Sequence, residues 1–413
     1  MAKMPRVLML IENCPVPEDL RVWDEAVALH EAGMAVSIIG PKGRKQEESY
    51  VCLEGIHIYR YRLPVLGTGV VSYCAEYGIA LLMTFLLSVK VLFQRGFDVI
   101  HAANPPDFFF VIGLFYRVFG KKFVFDQHDP APEMFQVKFK GETRKATLLQ
   151  KALLFLEYCS YRTSQVVITS NHSQKCFAVE RGRVLADRVF VVRNGPKLER
   201  MRLVEPEPAL KIGKRYLLGY VGVMGDQDGV EYTLYALDHL VHKLGRDDVA
   251  LMLIGDGDSL PALRKLTSEL RIESYVNFVG WVTPENVSSY LSTADVGLVP
   301  DPQNGMNEYC TMVKTMEYMA LGKPIVAFDL AETRFSAQEA ALYATPNSVE
   351  DFAEKIVALL DDEESRCRMG VFGQRRVEEE LGWEHSKGHL LVAYKRLFAT
   401  LPVPAPTLEA SNV

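Results

Sequence analysis

The chain has 413 residues, of which 48% are hydrophobic and 24% are charged, and its formal net charge is −6. This composition is ordinary for a globular protein, and the length exceeds what one hydrophobic core usually supports, so we expect two domains. The negative charge and the lack of a Lys/Arg-rich block in the sequence argue against a nucleic-acid partner.

The charge is distributed unevenly along the sequence. Residues 1–210 carry 27 Lys and Arg against 22 Asp and Glu, whereas the remainder carries 19 against 30. A basic half suits an anionic surface such as a membrane leaflet, although a chance difference between the halves explains the asymmetry equally well. The cysteines are scattered singly, which favours reduced thiols in the cytoplasm over disulfides or a zinc site.

The first half alternates predicted strands with predicted helices. The helices are expected at 22–32 and 143–162, and the strands at 6–11, 34–39, 56–61, 97–100, 121–125, 165–169 and 189–192. Such alternation predicts a doubly wound α/β domain with a parallel sheet.

The most apolar segment of the sequence is 77–93. It is too short for a confident bilayer span, which needs about 20 apolar residues, and Lys90 interrupts it. We interpret it as a buried helix of the first domain, with a partly exposed helix that docks on a membrane surface as the alternative.

The second half repeats the alternation. Residues 197–213 are rich in Lys, Glu and Pro and are predicted to be a linker, and a Pro-rich polar tail follows residue 400. Between them we expect strands at 217–221, 249–254, 275–279, 295–300 and 325–328, helices at 259–271, 311–321, 350–361 and 384–398, and a mixed segment at 363–380.

Ligands of open α/β sheets bind at the carboxyl ends of the strands, and polar residues collect there in this sequence. His128 follows the strand at 121–125, between Asp126 and Asp129. A nearby carboxylate orients an imidazole and raises its basicity. A lone histidine is more often structural, but these carboxylates favour a functional role.

Glu317 lies in a predicted helix whose other faces are apolar, so its carboxylate needs hydrogen-bond donors, which sugar hydroxyls would supply. Lys314 lies one turn before it, so a simple surface pair of the two is the alternative. The glycine-rich segments 222–229 and 255–257 follow strands, where backbone N–H groups approach phosphates. A plain turn explains each segment alone equally well.

Together these residues resemble the retaining family-four glycosyltransferases of the GT-B fold, along nearly the whole chain. The matching stretches are Asp-Leu-Arg-Val-Trp-Asp-Glu-Ala at 19–26, Asp-Val-Ile-His-Ala-Ala-Asn-Pro-Pro at 98–106, Phe-Asp-Gln-His-Asp at 125–129, and, in the second half, residues 255–257, 278–281, 294–298 and 314–326.

The resemblance implies two doubly wound Rossmann-like domains that face a central cleft. The acceptor would bind to a domain over residues 1–200, and the nucleotide sugar to a domain over 214–382. A helix at 383–399 would cross back to the first domain, and a disordered tail would occupy 400–413.

The resemblance also implies roles for individual residues. His128 and Asp129 would be catalytic, and His101 and Asn104 would lie on the acceptor side. Residues on the donor side would be Glu317 at the nucleotide ribose, together with Lys314, Gly225, Asn194, Gly257, Val282, Tyr309 and Arg21. No metal and no cofactor is implied, because protein groups would neutralise the departing diphosphate.

The chain departs from the family pattern at the expected phosphate-binding positions. Val223 stands where the family has Arg, Asp228 stands where it has Lys, and Tyr309 stands where it has the first of two Glu. Lys314, Arg21 and Arg193, together with backbone N–H groups of the Gly225 loop, are the expected replacements.

The sequence therefore predicts a cytoplasmic glycosyltransferase at the inner face of the cell membrane, with peripheral contact through 77–93. It would move a sugar from a nucleoside-diphosphate sugar to a glycan or lipid-linked acceptor, with retention, in surface polysaccharide or lipopolysaccharide synthesis. Two alternatives stay open: a nucleotide-sugar epimerase of the same fold, and an inactive partner of an active enzyme.

Overall fold

The computed structural model describes residues 4–43, 46–64, 70–138 and 144–398. These residues divide into two compact units. The first unit comprises the residues up to Val192 together with those from Lys387 onwards, and the second runs from Arg193 to Ser386. Residue 399 of the predicted last helix and the predicted tail lie outside the described residues.

The first unit is built on an eight-stranded sheet with the order β3-β4-β2-β1-β5-β6-β7-β8. All its strand pairs are parallel except β3 with β4. The strands are β1 (Arg6–Leu10), β2 (Ala35–Pro41), β3 (Tyr50–Leu53), β4 (Ile56–Tyr61), β5 (Val99–Ala103), β6 (Lys122–Gln127), β7 (Val166–Thr169) and β8 (Val189–Val191).

In the described part of the first unit, helices connect these strands. They are α1 (Leu20–Glu31), α2 (Val70–Gln94), α3 (Phe110–Arg117), α4 (Ala131–Lys138), α5 (Arg144–Thr163) and α6 (His172–Cys176). Asp19 begins α1 as its N-cap, because its carboxylate accepts the N–H of Val22 at 2.9 Å. The cap places Arg21 and Glu25 in the first turns of α1, beyond the carboxyl end of β1.

The apolar segment around 77–93 is a longer helix than the sequence predicts, since α2 runs from Val70 to Gln94. Ala80, Thr84, Ser88 and Val91 form its buried stripe at helical spacing. Leucines and a phenylalanine on the opposite side are exposed. By length and composition alone, Ala75–Gln94 meets the requirements for a membrane-crossing helix.

The second unit is built on a six-stranded parallel sheet with the order β11-β10-β9-β12-β13-β14. Its strands are β9 (Tyr216–Val221), β10 (Val249–Ile254), β11 (Val276–Gly280), β12 (Val296–Val299), β13 (Ile325–Phe328) and β14 (Ala341–Ala344). The order reverses direction at β9 and β12, and ligands of such sheets bind beyond the carboxyl ends of the strands at that point.

The remaining helices are α7 (Val230–Asp238), α8 (Leu260–Glu269), α9 (Pro284–Leu291), α10 (Val313–Ala320), α11 (Ala331–Ala337), α12 (Val349–Asp361), α13 (Glu363–Arg376) and α14 (Trp383–Phe398). The segment predicted as mixed is therefore mostly the helix α13. Residues of α14 from Lys387 onwards belong to the first unit. The two parallel sheets confirm the predicted doubly wound α/β fold.

The sequence missed β3, a short strand that pairs antiparallel with β4. The predicted linker is tied to the second unit: the N–H groups of Val204 and Glu207 donate to the hydroxyls of Ser292 and Thr293. Its Lys/Glu/Pro-rich composition therefore indicates surface exposure and not freedom of movement.

Candidate functional site

In the first unit, His128 lies just beyond the carboxyl end of β6 and is held by Asp126, the penultimate residue of that strand. The imidazole Nε2 lies 2.6 Å from Oδ2 of Asp126. Burial alone would lower the pKa of His128, but the Asp126 carboxylate outweighs it and raises that pKa. The result is a carboxylate–imidazole pair in which the second ring nitrogen, Nδ1, is left for another partner.

Asp126 is the centre of a larger buried network. The guanidinium of Arg21 donates to Oδ1 of Asp126 at 2.7 Å and lies 3.2 Å from the carboxylate of Glu25. His101, on β5, places its Nε2 atom 3.3 Å from both Asp126 and Glu25. Its Nδ1 atom lies 2.9 Å from the hydroxyl of Tyr394 on α14.

The charges in this network stabilise one another. Burial opposes ionisation of Asp126, but Arg21 and His128 hold the pKa of Asp126 well below its usual value. Burial would lower the pKa of His101, yet hydrogen bonds to Asp126 and Glu25 raise it to about 9. At neutral pH the network therefore contains an ionised Asp126 beneath His128, with cationic Arg21 and His101 on either side.

Asn104 fixes the loop that carries His128 and Asp129. Its side-chain Oδ1 accepts the backbone N–H groups of His128 at 2.6 Å and Asp129 at 3.2 Å. Its Nδ2 donates to Asp107 and to the carbonyl of Asp129, each at 2.8 Å. Asp129 is half-buried, and burial raises the pKa of its carboxyl.

Three sequence assignments therefore need correction. His101 and Asn104 are both 0% exposed, so neither reaches an acceptor; they hold Asp126 and the His128 loop from within. Arg21 is also buried, and its guanidinium is bonded to Asp126 and to the carbonyl of Val192 at 2.7 Å. It is committed to the first unit and is no free cation for a diphosphate.

Glu25, His101 and Asp126 each offer one potential metal-ligand atom, and these atoms lie within 4.8 Å of one another. The guanidinium of Arg21 already balances both carboxylates at 3.2 and 2.7 Å. A metal ion there would be repelled by Arg21, so the donor set fits an ion-pair network better than a metal site.

In the second unit, Glu317 lies on α10, which follows β12 and its loop. Its side chain is half-buried and, within the described residues, makes no hydrogen bond or ion pair. Burial raises the pKa of its carboxyl to about 7, although Lys314 acts in the opposite direction. A partly buried acceptor without a donor suits hydroxyl groups of a ligand.

Lys314 lies one turn before Glu317 but bonds to a different carboxylate. Its Nζ atom lies 2.9 Å from both oxygens of Asp301, and the two side chains are buried. The alternative of a surface pair with Glu317 is therefore wrong. Asp301 follows β12, and no sequence pattern points to it. Its carboxylate neutralises the charge of Lys314, the residue expected to replace a lost phosphate-binding cation.

The backbone of the Gly225 loop is also hydrogen-bonded to a side chain of the same loop. The N–H of Gly225 donates to Oδ2 of Asp228 at 3.0 Å, and Asp228 stands where the family has Lys. Burial raises the pKa of Asp228 to about 6, with Asp301 contributing and Lys314 opposing. The expectation that this N–H group would be free to bind a phosphate is not met while Asp228 accepts it.

Close packing between the segments 222–225 and 255–257 requires glycine at positions 255 and 257. A Cβ atom on Gly257 would lie 2.5 Å from the carbonyl oxygen of Met224, and one on Gly255 would lie 1.9 Å from that of Gly222. Any side chain at either position would push the loops apart. These contacts bring segments 222–225 and 255–257 together beyond the ends of β9 and β10.

Arg193, the first residue of the second unit, is the candidate cation with unused hydrogen-bonding capacity. Its nearest carboxylate is Glu332, 3.5 Å from Nη1, and its guanidinium lies over the ring of Phe335 at 4.2 Å. Within the described residues neither buried Nη atom makes a hydrogen bond. The guanidinium of Arg193 therefore has hydrogen-bond donor capacity that its ion pair with Glu332 does not use.

The other predicted donor residues lie at the carboxyl ends of strands or in loops of the second unit. Asn194, Val282 and Tyr309 are all half-buried. Val282 comes after β11, and Tyr309 closes a single 3-10 turn before α10. Sequence reasoning missed Asp301, the partner of Lys314, and the buried Tyr394, the partner of His101. Neither residue belongs to the sequence motif that contains its partner.

Two family descriptions match the chain. Residues 20–200 match Glycosyltransferase Family 4, and residues 215–362 match Glycosyl transferases group 1. Among curated relatives, MMP alpha-(1->4)-mannosyltransferase of Mycolicibacterium hassiacum is 28% identical over 41% of this chain and 42% of its own length. GDP-mannose-dependent alpha-(1-6)-phosphatidylinositol monomannoside mannosyltransferase of Mycobacterium tuberculosis is 25% identical over 54% and 59%. The chain thus spans about half the length of these relatives.

Solved structures share the fold over almost the entire chain. Sucrose-phosphate synthase from Thermosynechococcus elongatus superposes with a TM-score of 0.76 at 17% identity, covering 97% of this chain and 100% of that one. HepE of Anabaena, in complex with UDP, superposes with a TM-score of 0.68 at 14% identity, covering 95% and 100%. The chain therefore has the GT-B fold, and its two halves are similar to glycosyltransferases of family 4 and of group 1 respectively.

Proposed function

We propose that the chain transfers a sugar from a nucleoside-diphosphate sugar to a glycan or lipid-linked acceptor, with retention of the anomeric configuration. The product would belong to surface polysaccharide or lipopolysaccharide synthesis. The observation that carries the proposal is the half-buried Glu317 carboxylate, which has no hydrogen-bonding partner within the described residues. It lies on α10, where the family resemblance expects the carboxylate that binds ribose.

Two further features support this assignment. The guanidinium of Arg193 has two Nη atoms available for a diphosphate, which would form charge-assisted hydrogen bonds. In the first unit, the Asp126–His128 pair supplies a polarised imidazole of the kind used at reaction centres. No metal or cofactor enters the proposal, since Arg193 would offset the charge of the leaving diphosphate.

The relatives and structural neighbours support a nucleoside-diphosphate sugar as the donor. One is described as GDP-mannose-dependent, and one structural neighbour was solved with UDP. Both ligands are nucleoside diphosphates or their sugars, so we propose this class and leave the base open. The decisive test is calorimetric binding of a panel of UDP- and GDP-sugars, followed by turnover with extracted lipid-linked acceptors. Proton NMR of the product's anomeric centre then reports retention or inversion.

We also propose a cytoplasmic location at the inner face of the cell membrane, with peripheral contact through the outer side of α2. Leu82, Leu86 and Phe93 are 57%, 53% and 84% exposed there. The inner stripe of the helix is buried against the sheet, which favours a helix that lies on the surface over one that crosses the membrane. Extraction of the membrane-bound protein by alkaline carbonate would support this, whereas resistance to extraction would contradict it.

One observation favours the second candidate, an inactive partner. Val223 and Asp228 replace the expected cations, and Asp301 balances Lys314. If no nucleoside diphosphate or nucleotide sugar binds, the glycosyltransferase proposal fails and the partner role is favoured. Binding with turnover only in the presence of an acceptor excludes both the inactive partner and the epimerase.

A further inference from the structure

A cavity of about 490 Å³ opens in the first unit at the amino end of β7. Its lining includes Arg117, Arg162, Arg188 and Arg396 together with the segment 163–166. We call this the arginine cavity. Because β6 and β7 are parallel, it lies at the opposite edge of the sheet from His128, which follows the carboxyl end of β6. The candidate site in the first unit therefore does not account for it.

The four arginines are poorly balanced by acids. Arg396 pairs with Asp187 at 2.9 Å, while Arg188 donates to the carbonyl groups of Gln165, at 2.8 Å, and Ser164. Arg162 donates to a backbone carbonyl at 3.4 Å. Burial lowers the pKa of Arg188, Asp187 opposes this, and the other three arginines lower it further. The cavity thus concentrates positive charge that an anion would relieve.

Helix ends explain only part of this arrangement. Arg117 and Arg162 lie in the last turns of α3 and α5, where cations interact favourably with the carbonyl end of a helix. Arg396 likewise lies in the last turn of α14, and Arg188 ends a single 3-10 turn before β8. A favourable helix end explains each arginine alone but not why all four line one cavity. The convergence of all four on one cavity therefore indicates recognition of an anion with several acceptor oxygens, as a phosphate group has.

An unusual apolar surface adjoins the arginine cavity. The helices α2, α3 and α5 pack side by side: the hydroxyls of Ser88 and Tyr116 join α2 to α3 at 2.9 Å, and α3 packs against α5. We call their outward sides, with the turn after α3, the apolar helix layer. Phe93, Val118, Phe119 and Phe155 are 84%, 83%, 61% and 64% exposed on it.

The cavity and the layer are continuous. Val118 and Phe119 directly follow Arg117, and Phe155 lies two helical turns before Arg162 on the same stripe of α5. The acids within these three helices are Glu76 and Glu157, and neither is exposed. Lys90, Arg117, Lys151 and Arg162 are exposed. A broad apolar surface whose exposed charges are all basic complements an anionic bilayer.

We propose that the arginine cavity binds the phosphate group of an anionic phospholipid headgroup while the apolar helix layer rests on the bilayer surface. The proposal rests on the peripheral membrane contact suggested above and extends it from α2 to three helices and a headgroup site. It does not depend on glycosyl transfer. Thr84 and Ser88 are 0% exposed, so the inner side of α2 is buried in the first unit and only its outer side is left for the bilayer surface.

The test is co-sedimentation of the full-length protein with vesicles of phosphatidylcholine alone or with 30 mol% phosphatidylglycerol (about one lipid in three, a composition chosen to give a strongly anionic surface). We expect clear preference for the anionic vesicles and weakening in high salt. Because a basic residue near such a surface contributes about fivefold in partitioning, the double variant Arg117→Gln/Arg162→Gln should bind roughly 20-fold more weakly. The matched control Arg368→Gln/Arg375→Gln, on α13 of the second unit, should bind as the wild type does.

The apolar contribution is tested separately. Val118→Ser/Phe119→Ser should weaken binding to both vesicle types, whereas Val371→Ser, at a residue 66% exposed on α13, should not. If this apolar variant loses binding but the arginine variant does not, membrane contact stands and the headgroup site is refuted. Wild-type binding by both variants refutes the whole proposal. Nucleotide-sugar binding by each variant is measured in parallel, so failure of the proposed activity is recognised independently.

Two further measurements test other occupants: a free anion in the arginine cavity and a second copy of the chain on the apolar helix layer. Calorimetry with inorganic phosphate, without vesicles, should show no binding at concentrations near 1 mM, a typical level for a free anion whose binding would be about −4 kcal/mol. Tight phosphate binding that Arg117→Gln/Arg162→Gln abolishes would instead assign the cavity to a free anion. A dimer that the Val118→Ser/Phe119→Ser variant dissociates in sedimentation equilibrium would assign the layer to a second copy. Either result overturns the proposal.

Discussion

The Nε2 atom of His128 lies 2.6 Å from Oδ2 of Asp126, and this pair determines the protonation behaviour expected of the first-unit site. Two cations, Arg21 and His101, also face Asp126 and keep it ionised. The carboxylate in turn raises the pKa of His128, because it stabilises the imidazolium form. A polarised histidine is therefore built by residues that are themselves buried.

Replacing Asp126 by Asn should lower the pKa of His128, since an amide cannot stabilise the imidazolium charge. We expect the pH profile of turnover to move to lower pH and the maximal rate to fall roughly 10-fold or more, given what a positioned acid–base group contributes. The matched control is Asp238→Asn, which removes the partner of His242 from an exposed pair on the second unit. An unchanged profile in Asp126→Asn would show that His128 takes no part in turnover.

Replacing Arg193 by Met should weaken nucleoside-diphosphate binding. The loss of charge-assisted hydrogen bonds, at about 1.5–3 kcal/mol, corresponds to roughly 10- to 100-fold in affinity. The side chain also forms a 3.5 Å ion pair with the buried Glu332 and stacks on Phe335, so the free energy of unfolding of the variant is measured alongside its affinity to separate a loss of binding from a loss of stability. Arg375→Met is the control because Arg375 is exposed on α13 of the same unit. Equal affinities of the two variants would exclude Arg193 from the donor site.

The sequence predicted the fold well because each strand of a parallel sheet is buried on both faces and reads as a continuous apolar run. It also predicted that His128 follows a strand and that Glu317 lies on a largely apolar helix, and the structure has both residues in those positions. It could not predict partners distant in sequence. Asp301 binds Lys314 across 13 positions, and Tyr394 binds His101 across 293, so only tertiary structure reveals either contact.

Burial also explains the corrections at His101, Asn104 and Arg21. Arg21 and His101 have the residue types of a ligand site, but burial decides their role, and a motif does not reveal burial. The same holds for the apolar segment 77–93, which the sequence analysis interprets as a buried helix with a partly exposed helix as the alternative; the exposed side of α2 favours the alternative. In the structure, one stripe of α2 is buried and the opposite side is exposed. Because apolar residues occur on all sides of this helix, its sequence does not indicate which side is buried.

Replacing Glu317 by Gln should have opposite effects on stability and on binding. Burial raises the folded-state pKa of Glu317 to about 7, above the 4.5 of the free side chain. Its contribution to stability is therefore full below pH 4.5 and is lost as the pH rises through about 7. We expect Glu317→Gln to unfold at higher temperature than the wild type at pH 8 and at a similar temperature at pH 4.

Nucleotide binding should respond in the other direction. Ribose hydroxyls donate to the ionised carboxylate, so wild-type affinity should rise between pH 6 and pH 8, around the pKa of about 7, and Glu317→Gln should remove that dependence. The variant should bind roughly 10- to 100-fold more weakly at pH 8. Calorimetry in buffers of different ionisation enthalpy measures the released proton. Full wild-type affinity in the variant would refute the ribose assignment.

His101 should make the stability of the first unit depend on pH. Its folded-state pKa is about 9 against 6.5 for the free side chain, because Asp126 and Glu25 outweigh its burial. The stabilisation is therefore fully present below pH 6.5 and is lost as the pH rises through about 9. The difference between these pKa values corresponds to on the order of 3 kcal/mol in the free energy of unfolding.

The measurement is urea unfolding of the wild type and of His101→Gln at pH 6, 7.5 and 9.5, values chosen to lie below, between and above roughly 6.5 and 9. The free energy of unfolding of the wild type should exceed that of His101→Gln most at pH 6. This difference should shrink towards pH 9.5, as the imidazolium of His101 deprotonates. Tyr394→Phe removes only the hydroxyl that contacts Nδ1, so it should lower stability without removing the pH dependence. A gap between wild type and His101→Gln that stays constant over this range would mean that His101 is neutral in the fold. In that case Arg21 and His128 would be the cations that keep Asp126 ionised.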